Sequence, residues 1–281
     1  MDIKNLIERL LLFIIGVPLV LALPIFFHQL NFLLLFIVCM VVILYASYEM
    51  QGLIAKRYTT YKLIFFFIVE IFDFVLVYVF SLFKVEPVFF ALLYIIPIFL
   101  LSILELAISQ REGFAKSFER ILTGVLILFY PIFLANFFLF MITLPNPRVM
   151  LAVFFICVFS CDSLAWFFGM LFGNGNRNII AASPKKSIAG FIGVAISVSC
   201  VSLALYYFLP QYFPSLFKNF ILIGISSFAA VIGDLFESIL KRAINVKDSG
   251  AIVLGRGGIL DTIDSLLFAA PTYFLLCCIL L

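Results

Sequence analysis

The sequence predicts an all-α integral membrane protein, a polytopic bundle of about nine transmembrane helices. Composition is the first sign: 65% of the 281 residues are hydrophobic and 12% are charged, against about 25% charged in soluble domains. Apolar runs of at least 18 residues recur along the chain, the length an α-helix needs to cross about 30 Å of hydrocarbon. Strand-type alternation is absent, which leaves helices and excludes a β-barrel.

The spans fall near 10–27, 30–48, 62–83, 88–106, 121–143, 149–172, 188–209, 219–240 and 263–281. The first lacks a small-residue cleavage site and is followed by eight more, so it reads as a retained helix. No linker or repeat marks a second domain, and residues 1–281 are expected to form one membrane domain. Nine spans place the N-terminus and the loops after spans two, four, six and eight on one side. That side carries 15 of the 18 Lys and Arg residues, and only Lys84, Arg148 and Lys218 fall on the other. Cytoplasmic loops hold such an excess, so a multi-pass protein of the cell's inner (plasma) membrane is expected, with its N-terminus cytoplasmic and its C-terminus external. The net charge of +3 is then ordinary for a membrane protein, and no nucleic-acid partner is implied.

All six cysteines lie inside the spans without CxxC spacing, which supports neither a disulfide framework nor a zinc site. His28 falls in the turn after the first span. Glu49 and Glu105 sit at cytoplasmic span ends, where a solvated helix end accounts for them. Glu70 and Asp73 lie inside span three with no surrounding motif, and pairing within the bundle is expected.

Charge gathers near the C-terminus. Residues 233–265, GDLFESILKRAINVKDSGAIVLGRGGILDTIDS, hold nine of the 33 charged side chains. Asp234, Ser238 and Lys241 recur at one-turn spacing on one helical face, and Glu237 precedes Lys241 by four, a favourable ion-pair spacing. A loop containing Lys247, Asp248, Gly250, Gly255, Arg256, Gly257 and Gly258 leads to Asp261 and Asp264, three apart at the start of the last span. Carboxylates from two helix ends suit Mg²⁺, which takes one or two carboxylates and completes its shell with water and phosphate oxygens. A second cation beside it is a further expectation. Glycines let backbone N–H groups approach phosphates closely, and Lys241, Arg242, Lys247 and Arg256 supply positive charge. A solvated loop explains the basic residues but not acids drawn into apolar spans.

Upstream, Ser183-Pro184-Lys185-Lys186-Ser187 precedes span seven. Ser183 followed by Pro184 reads as an N-cap and first-turn proline, with two lysines set against the helix dipole. An anionic ligand shared with them is the implication. Asp162, Trp166, Gly169 and Gly173 share one stripe of span six, the glycines permitting close helix packing.

These segments, in this order, resemble the phosphatidate cytidylyltransferases. That family's signature S-x-x-K-R-x4-K-D, a glycine-rich element and D-R-x-D are matched by Ser238, Lys241, Arg242, Lys247, Asp248, Gly257, Gly258, Asp261 and Asp264. Gly233, Asp234 and Glu237 match the preceding G-D-L-x-E-S. Asp162, Ala165, Trp166, Gly169, Phe172, Gly173 and residues 183–187 match two further elements. The resemblance covers residues 155–281, while 1–150 share only their helical, membrane-bound character. Arg256 stands where the family has histidine, Thr262 replaces the arginine of D-R-x-D, and Ala189 replaces an acidic residue.

The resemblance implies the reaction of CTP with phosphatidate to give CDP-diacylglycerol and pyrophosphate, by an enzyme working on membrane lipid at the cytoplasmic face, with a homodimer as the possible assembly. It implies catalytic roles for Asp234, Lys241, Asp248, Asp261 and Asp264, of which Asp234, Asp261 and Asp264 would hold Mg²⁺. Substrate would be bound by Asp162, Ser183, Lys185, Lys186, Ser187, Ser238, Arg242, Lys247, Arg256, Gly257 and Gly258. Two other activities fit parts of the pattern: a CTP-dependent polyprenol- or phytol-type lipid kinase of the same superfamily, and an ion-coupled transporter using Glu70, Asp73, Asp162 and Asp234.

Overall fold

In hydrocarbon every backbone N–H and C=O must be satisfied within its own segment, and the apolar runs accordingly form helices. The computed structural model describes residues 15–83, 85, 87–253 and 257–281. In chain order the helices are α1 (Val17–Phe26), α2 (Gln29–Ala55), α3 (Leu63–Phe83), α4 (Leu92–Glu112), α5 (Ser117–Ile127), α6 (Leu134–Phe140), α7 (Pro147–Phe172), α8 (Ile188–Phe208), α9 (Leu216–Ala243) and α10 (Leu260–Leu280). Among the described residues, eight helical stretches are long and apolar enough to cross a membrane, α5 and α6 forming one of them, and α1 is a shorter apolar helix. The expected first span, 10–27, lies partly outside the described residues. At the start of α2, Leu30, Asn31 and Phe32 adopt left-handed backbone angles, so the regular helix begins after them.

Most spans expose much of their apolar surface, with Phe118, Phe208, Phe217 and Ile279 each at least three-quarters exposed. This is the outward face a bundle turns to lipid. The stretch Ser117–Thr143 differs: 72% of its apolar window is buried, against 22–44% in the other spans. It is the central pillar. Between α5 and α6 it passes through a π-helical segment, Leu128–Phe133, containing Pro131. Proline removes a helical N–H and clashes with the carbonyl four residues earlier, and the wider turn absorbs that misfit.

The C-terminal half packs by close backbone approach. A Cβ on Gly193 of α8 would lie 2.4 Å from the carbonyl oxygen of Leu164 on α7, and one on Gly233 of α9 would lie 2.5 Å from that of Asp264 on α10. Gly169 of α7 faces Ser187 and Gly190 at the start of α8, the close crossing its stripe predicts. Polar connections meet at one end of the bundle. There Arg57 donates to the carbonyl of Ala243, the Thr59 amide donates to Glu119 at 2.7 Å, and Arg242 donates to the carbonyl of Ala182 at 3.3 Å.

Two expectations about acids at span ends are corrected here. Glu49 and Glu105 are each only 5% exposed. Glu105 receives Arg120 Nη2 at 2.7 Å, Arg120 Nε at 3.0 Å and the Tyr61 hydroxyl at 2.8 Å. Burial, reinforced by that hydrogen bond, holds the Tyr61 hydroxyl above its usual range. The charge of Glu105 is thus carried inside the bundle by a buried guanidinium rather than by water, and the partners of Glu49 belong to the site.

Candidate active site

Gly233 fixes the site by letting α9 lie directly on the backbone of α10, so the acidic residues of the two helix ends meet. Lys241, at the last turn of α9, lies between them. Its ammonium pairs with Glu237 Oε2 at 2.8 Å, the i, i+4 pair expected from the spacing, and with Asp261 Oδ1. The other oxygen of Asp261 accepts three hydrogen bonds: the Ser249 amide at 2.9 Å, the Ser249 hydroxyl at 2.9 Å and the Gly258 amide at 2.7 Å. Both oxygens of Asp261 therefore already face donors. Gly257 makes this possible: its φ of +114° suits glycine, and a Cβ there would stand 2.6 Å from Asp261 Oδ2.

Glu49 reaches the same loop from α2. It accepts the Ile259 amide at 3.1 Å, the Leu260 amide at 2.8 Å and the Ser249 hydroxyl at 3.2 Å. The first amides of a helix lack partners inside it, so Glu49 acts as the N-terminal anion of α10 from another helix. A side chain on Gly250 or Gly258 would collide with its carboxylate, at 2.1 and 2.4 Å respectively. Nothing in the sequence near Glu49 signals this, because the partners lie about 210 residues away.

Next to this tied-down loop lies a set of acids with fewer donors. Asp264 is 6% exposed and receives the Ser265 amide at 2.6 Å. It faces Glu237, Asp234 and Asp162. Glu237 lies within hydrogen-bonding reach of Asp264, yet its Oε1 makes no hydrogen bond. Asp234 pairs with Lys186 at 2.6 Å, and the Ser265 hydroxyl donates to Asp162 at 3.4 Å. Among the described residues, Asp234, Glu237 and Asp261 thus pair with two lysines, Lys186 and Lys241, and Asp264 stands beside them. Two carboxyl groups in contact, as Glu237 and Asp264 are, need a proton or a cation between them. Among the described residues, no three His, Cys, Asp or Glu side chains converge as a ready-made metal cage.

Tyr130, from the π-helical segment, completes the buried side. It is fully buried between Phe236 and Phe268, its hydroxyl makes no hydrogen bond, and it stands near Asp264 and Glu237. Sequence reasoning passed over it because tyrosine in an apolar span is ordinary packing.

The Ser183–Ser187 segment is present but built otherwise than expected. Ser187, not Ser183, caps α8, accepting the Gly190 amide at 3.1 Å. Residues 183–186 close a turn, with the Lys186 amide on the Ser183 carbonyl and the Pro184 carbonyl taken by the Asn178 amide. Both lysines therefore precede the cap and do not oppose the dipole from within the first turn. Lys186 turns to Asp234, while Lys185 is exposed. Ser238 is buried beside Lys241, and Arg242, Lys247 and Asp248 are exposed around the hairpin. Arg256 lies outside the described residues. Thr262 donates to the Gly258 carbonyl at 2.9 Å and so ties the loop to α10.

An apolar cavity of about 290 Å³ lies directly beneath the hairpin. Val253, Ile259, Thr262 and Ile263 form its edge toward the charged residues, while Leu23, Leu35 and Phe155 line its membrane side.

A model of the cytidylyltransferase family matches residues 7–280. The phosphatidate cytidylyltransferase of Rickettsia typhi is 33% identical over 202 residues, which cover 69% of this chain and 85% of that protein. That of Rickettsia bellii is 30% identical over 203 residues, 70% and 83% of the two chains. The Bacillus subtilis enzyme of the same name is 41% identical over 128 residues, 44% of this chain and 46% of that one.

Proposed function

The chain belongs to the cytidylyltransferase family, and from that premise we propose that it transfers the cytidylyl group of CTP to phosphatidate, giving CDP-diacylglycerol and pyrophosphate. The observation that carries this reading is a hydrophilic site for phosphates set directly on an apolar cavity, a pairing that a lipid with a phosphate head requires. One oxygen of the lipid phosphate attacks the α-phosphorus of CTP as the bond to the pyrophosphate oxygen breaks. The nucleophile is already ionised at neutral pH, so the step needs positioning and charge compensation rather than a strong base.

The surplus of carboxylates over lysines, with the unpartnered Glu237 Oε1, fits a hard divalent cation. Asp264 and Glu237 are the pair to hold Mg²⁺, with Asp234 and Asp162 in support; bound there, it would neutralise the pyrophosphate leaving group. Asp261 serves chiefly to hold Lys241 and the glycine loop in place. Lys186 and Lys185 face the incoming phosphates from the turn before α8, and Arg242 and Lys247 line the approach. The cavity beneath Ile259 and Thr262 takes part of one acyl chain.

Purified protein with Mg²⁺, phosphatidate and CTP labelled at either the α- or the γ-phosphate tests the reaction. The α label is expected in lipid, with pyrophosphate released. Appearance of γ label in lipid, with CDP released, would establish a lipid kinase instead. We also propose that the hairpin faces the cytoplasm of the plasma membrane, as the 15-to-3 distribution of basic residues supports. Single cysteines at the exposed positions 185 and 247, in a chain without the native six, should react only with reagents that reach the cytoplasm. Labelling of either from outside would reverse the orientation.

A further inference from the structure

We propose that Glu70, Asp73, Tyr94 and Asn136 form a buried site for one Na⁺ ion in the N-terminal half of the bundle, separate from the charged hairpin. Asp73 lies ten residues from either end of α3 (Leu63–Phe83), hence about 15 Å from each at 1.5 Å per residue. It is fully buried, and neither carboxylate oxygen makes a hydrogen bond. Glu70 is one turn earlier on the same face and equally buried; its Oε2 accepts the Ser47 hydroxyl at 2.8 Å, and its Oε1 has no hydrogen bond. Asn136 of α6, 0% exposed, stands within reach of Asp73, yet neither of its amide atoms makes a hydrogen bond of ordinary geometry. The Tyr94 hydroxyl of α4 is near Asp73 and also lacks a hydrogen bond. Among the described residues, no lysine or arginine pairs with either acid.

An unmade hydrogen bond in an apolar interior costs the group its full desolvation, and here four side chains from three helices carry such atoms to one place. Their common deficit is positive charge and a centre for oxygen lone pairs. Five oxygens are available: Glu70 Oε1, both of Asp73, Asn136 Oδ1 and Tyr94 Oη. An all-oxygen set selects a hard cation. Five oxygens fall short of the about six to eight that Ca²⁺ takes, and Mg²⁺ keeps several waters, which a closed mid-membrane position does not supply. A monovalent ion remains. With one of the two carboxyls protonated, Na⁺ leaves the cluster neutral, as a low-dielectric surrounding demands.

Thermal unfolding of the full chain in detergent, with NaCl exchanged for choline chloride at constant ionic strength, tests the site. A saturable rise in melting temperature on the order of 5 °C is expected with Na⁺ and not with choline. Retention of ²²Na⁺ by the purified protein should saturate near one ion per chain at the same concentrations. Asp73→Asn should abolish both responses, and Asp264→Asn should keep them, which separates this site from the acidic hairpin. Equal melting in Na⁺ and choline, or no retained ²²Na⁺, would show that the acids are satisfied by protons alone and overturn the proposal. Unchanged retention in Asp73→Asn, or loss of retention in Asp264→Asn alone, would overturn it as well. If Asp73→Asn fails to fold, Asn136→Leu serves the same purpose, since it removes an oxygen without adding a donor.

Discussion

Two of the places where the protein carries acids into its apolar bundle are compensated in opposite ways. At the α9–α10 hairpin, Asp261 has donors on both oxygens, Asp234 has Lys186 and Glu237 has Lys241. In the middle of α3, Glu70 has one serine hydroxyl and Asp73 has no hydrogen bond. The hairpin opens on the end of the bundle where phosphates can arrive; the α3 pair is sealed at 0% exposure. On the proposed function, compensation built from lysines and backbone amides leaves the hairpin acids able to take a divalent cation arriving with the substrate. Compensation by a captured small ion or proton instead locks helices together. On the two proposals, one arrangement serves turnover and the other cohesion.

The contrast can be broken by substitution, and the largest effect is expected at Asp264. Asp264→Asn should lower turnover by about a thousandfold, since metal charge stabilisation is worth several kcal/mol, while the melting temperature holds or rises because a buried charge is removed. Near-normal turnover at limiting Mg²⁺ would remove Asp264 from the metal site. Arg120→Met should act in the reverse sense. It leaves Glu105 buried without its partner, at a cost of about 3–5 kcal/mol, to be read as a lower melting temperature with turnover per folded molecule unchanged.

Glu49→Gln sharpens the comparison, because Glu49 stabilises the hairpin without belonging to its acidic set. Losing charge-assisted bonds to two amides should cost about 1.5–3 kcal/mol, seen as a roughly 10- to 100-fold lower kcat/KM for CTP. Glu49→Asp should fail to restore it, since the shorter side chain does not span the gap to α10. The smallest effect belongs to Asp73→Asn, where turnover with saturating CTP should stay within about threefold of wild type. A loss comparable to that of Asp264→Asn would mean that the two acidic places are one functional unit.

What the sequence disclosed follows the same division. The Glu237–Lys241 pair and the meeting of Asp234 with Asp264 were legible because i, i+4 spacing and a short hairpin make the partners local. The buried roles of Glu49 and Glu105 were not: each answers to residues on another helix, and helical position alone made them look like solvated ends. The α8 cap was misplaced by four residues for a related reason. Ser-Pro is a strong helix start but an equally good turn, and Ser187, with Gly190 three residues on, offers the better cap. The mid-membrane acids were legible as exceptional and silent as to purpose, since their neighbours Tyr94 and Asn136 come from α4 and α6.

The π-helical segment at Pro131 links the two places. An α-helix turns about 100° per residue, so the extra residue accommodated between α5 and α6 sets the rotational phase of everything after it relative to everything before. Tyr130 looks toward the hairpin acids, and Asn136, six residues on, looks toward Asp73. Deleting one residue from Leu128–Phe133 would restore a regular helix and turn Asn136 away by roughly a quarter of a revolution. The central helix therefore behaves as a keyed shaft: its π-helical turn is what allows one rod to present side chains to two chambers on different bearings.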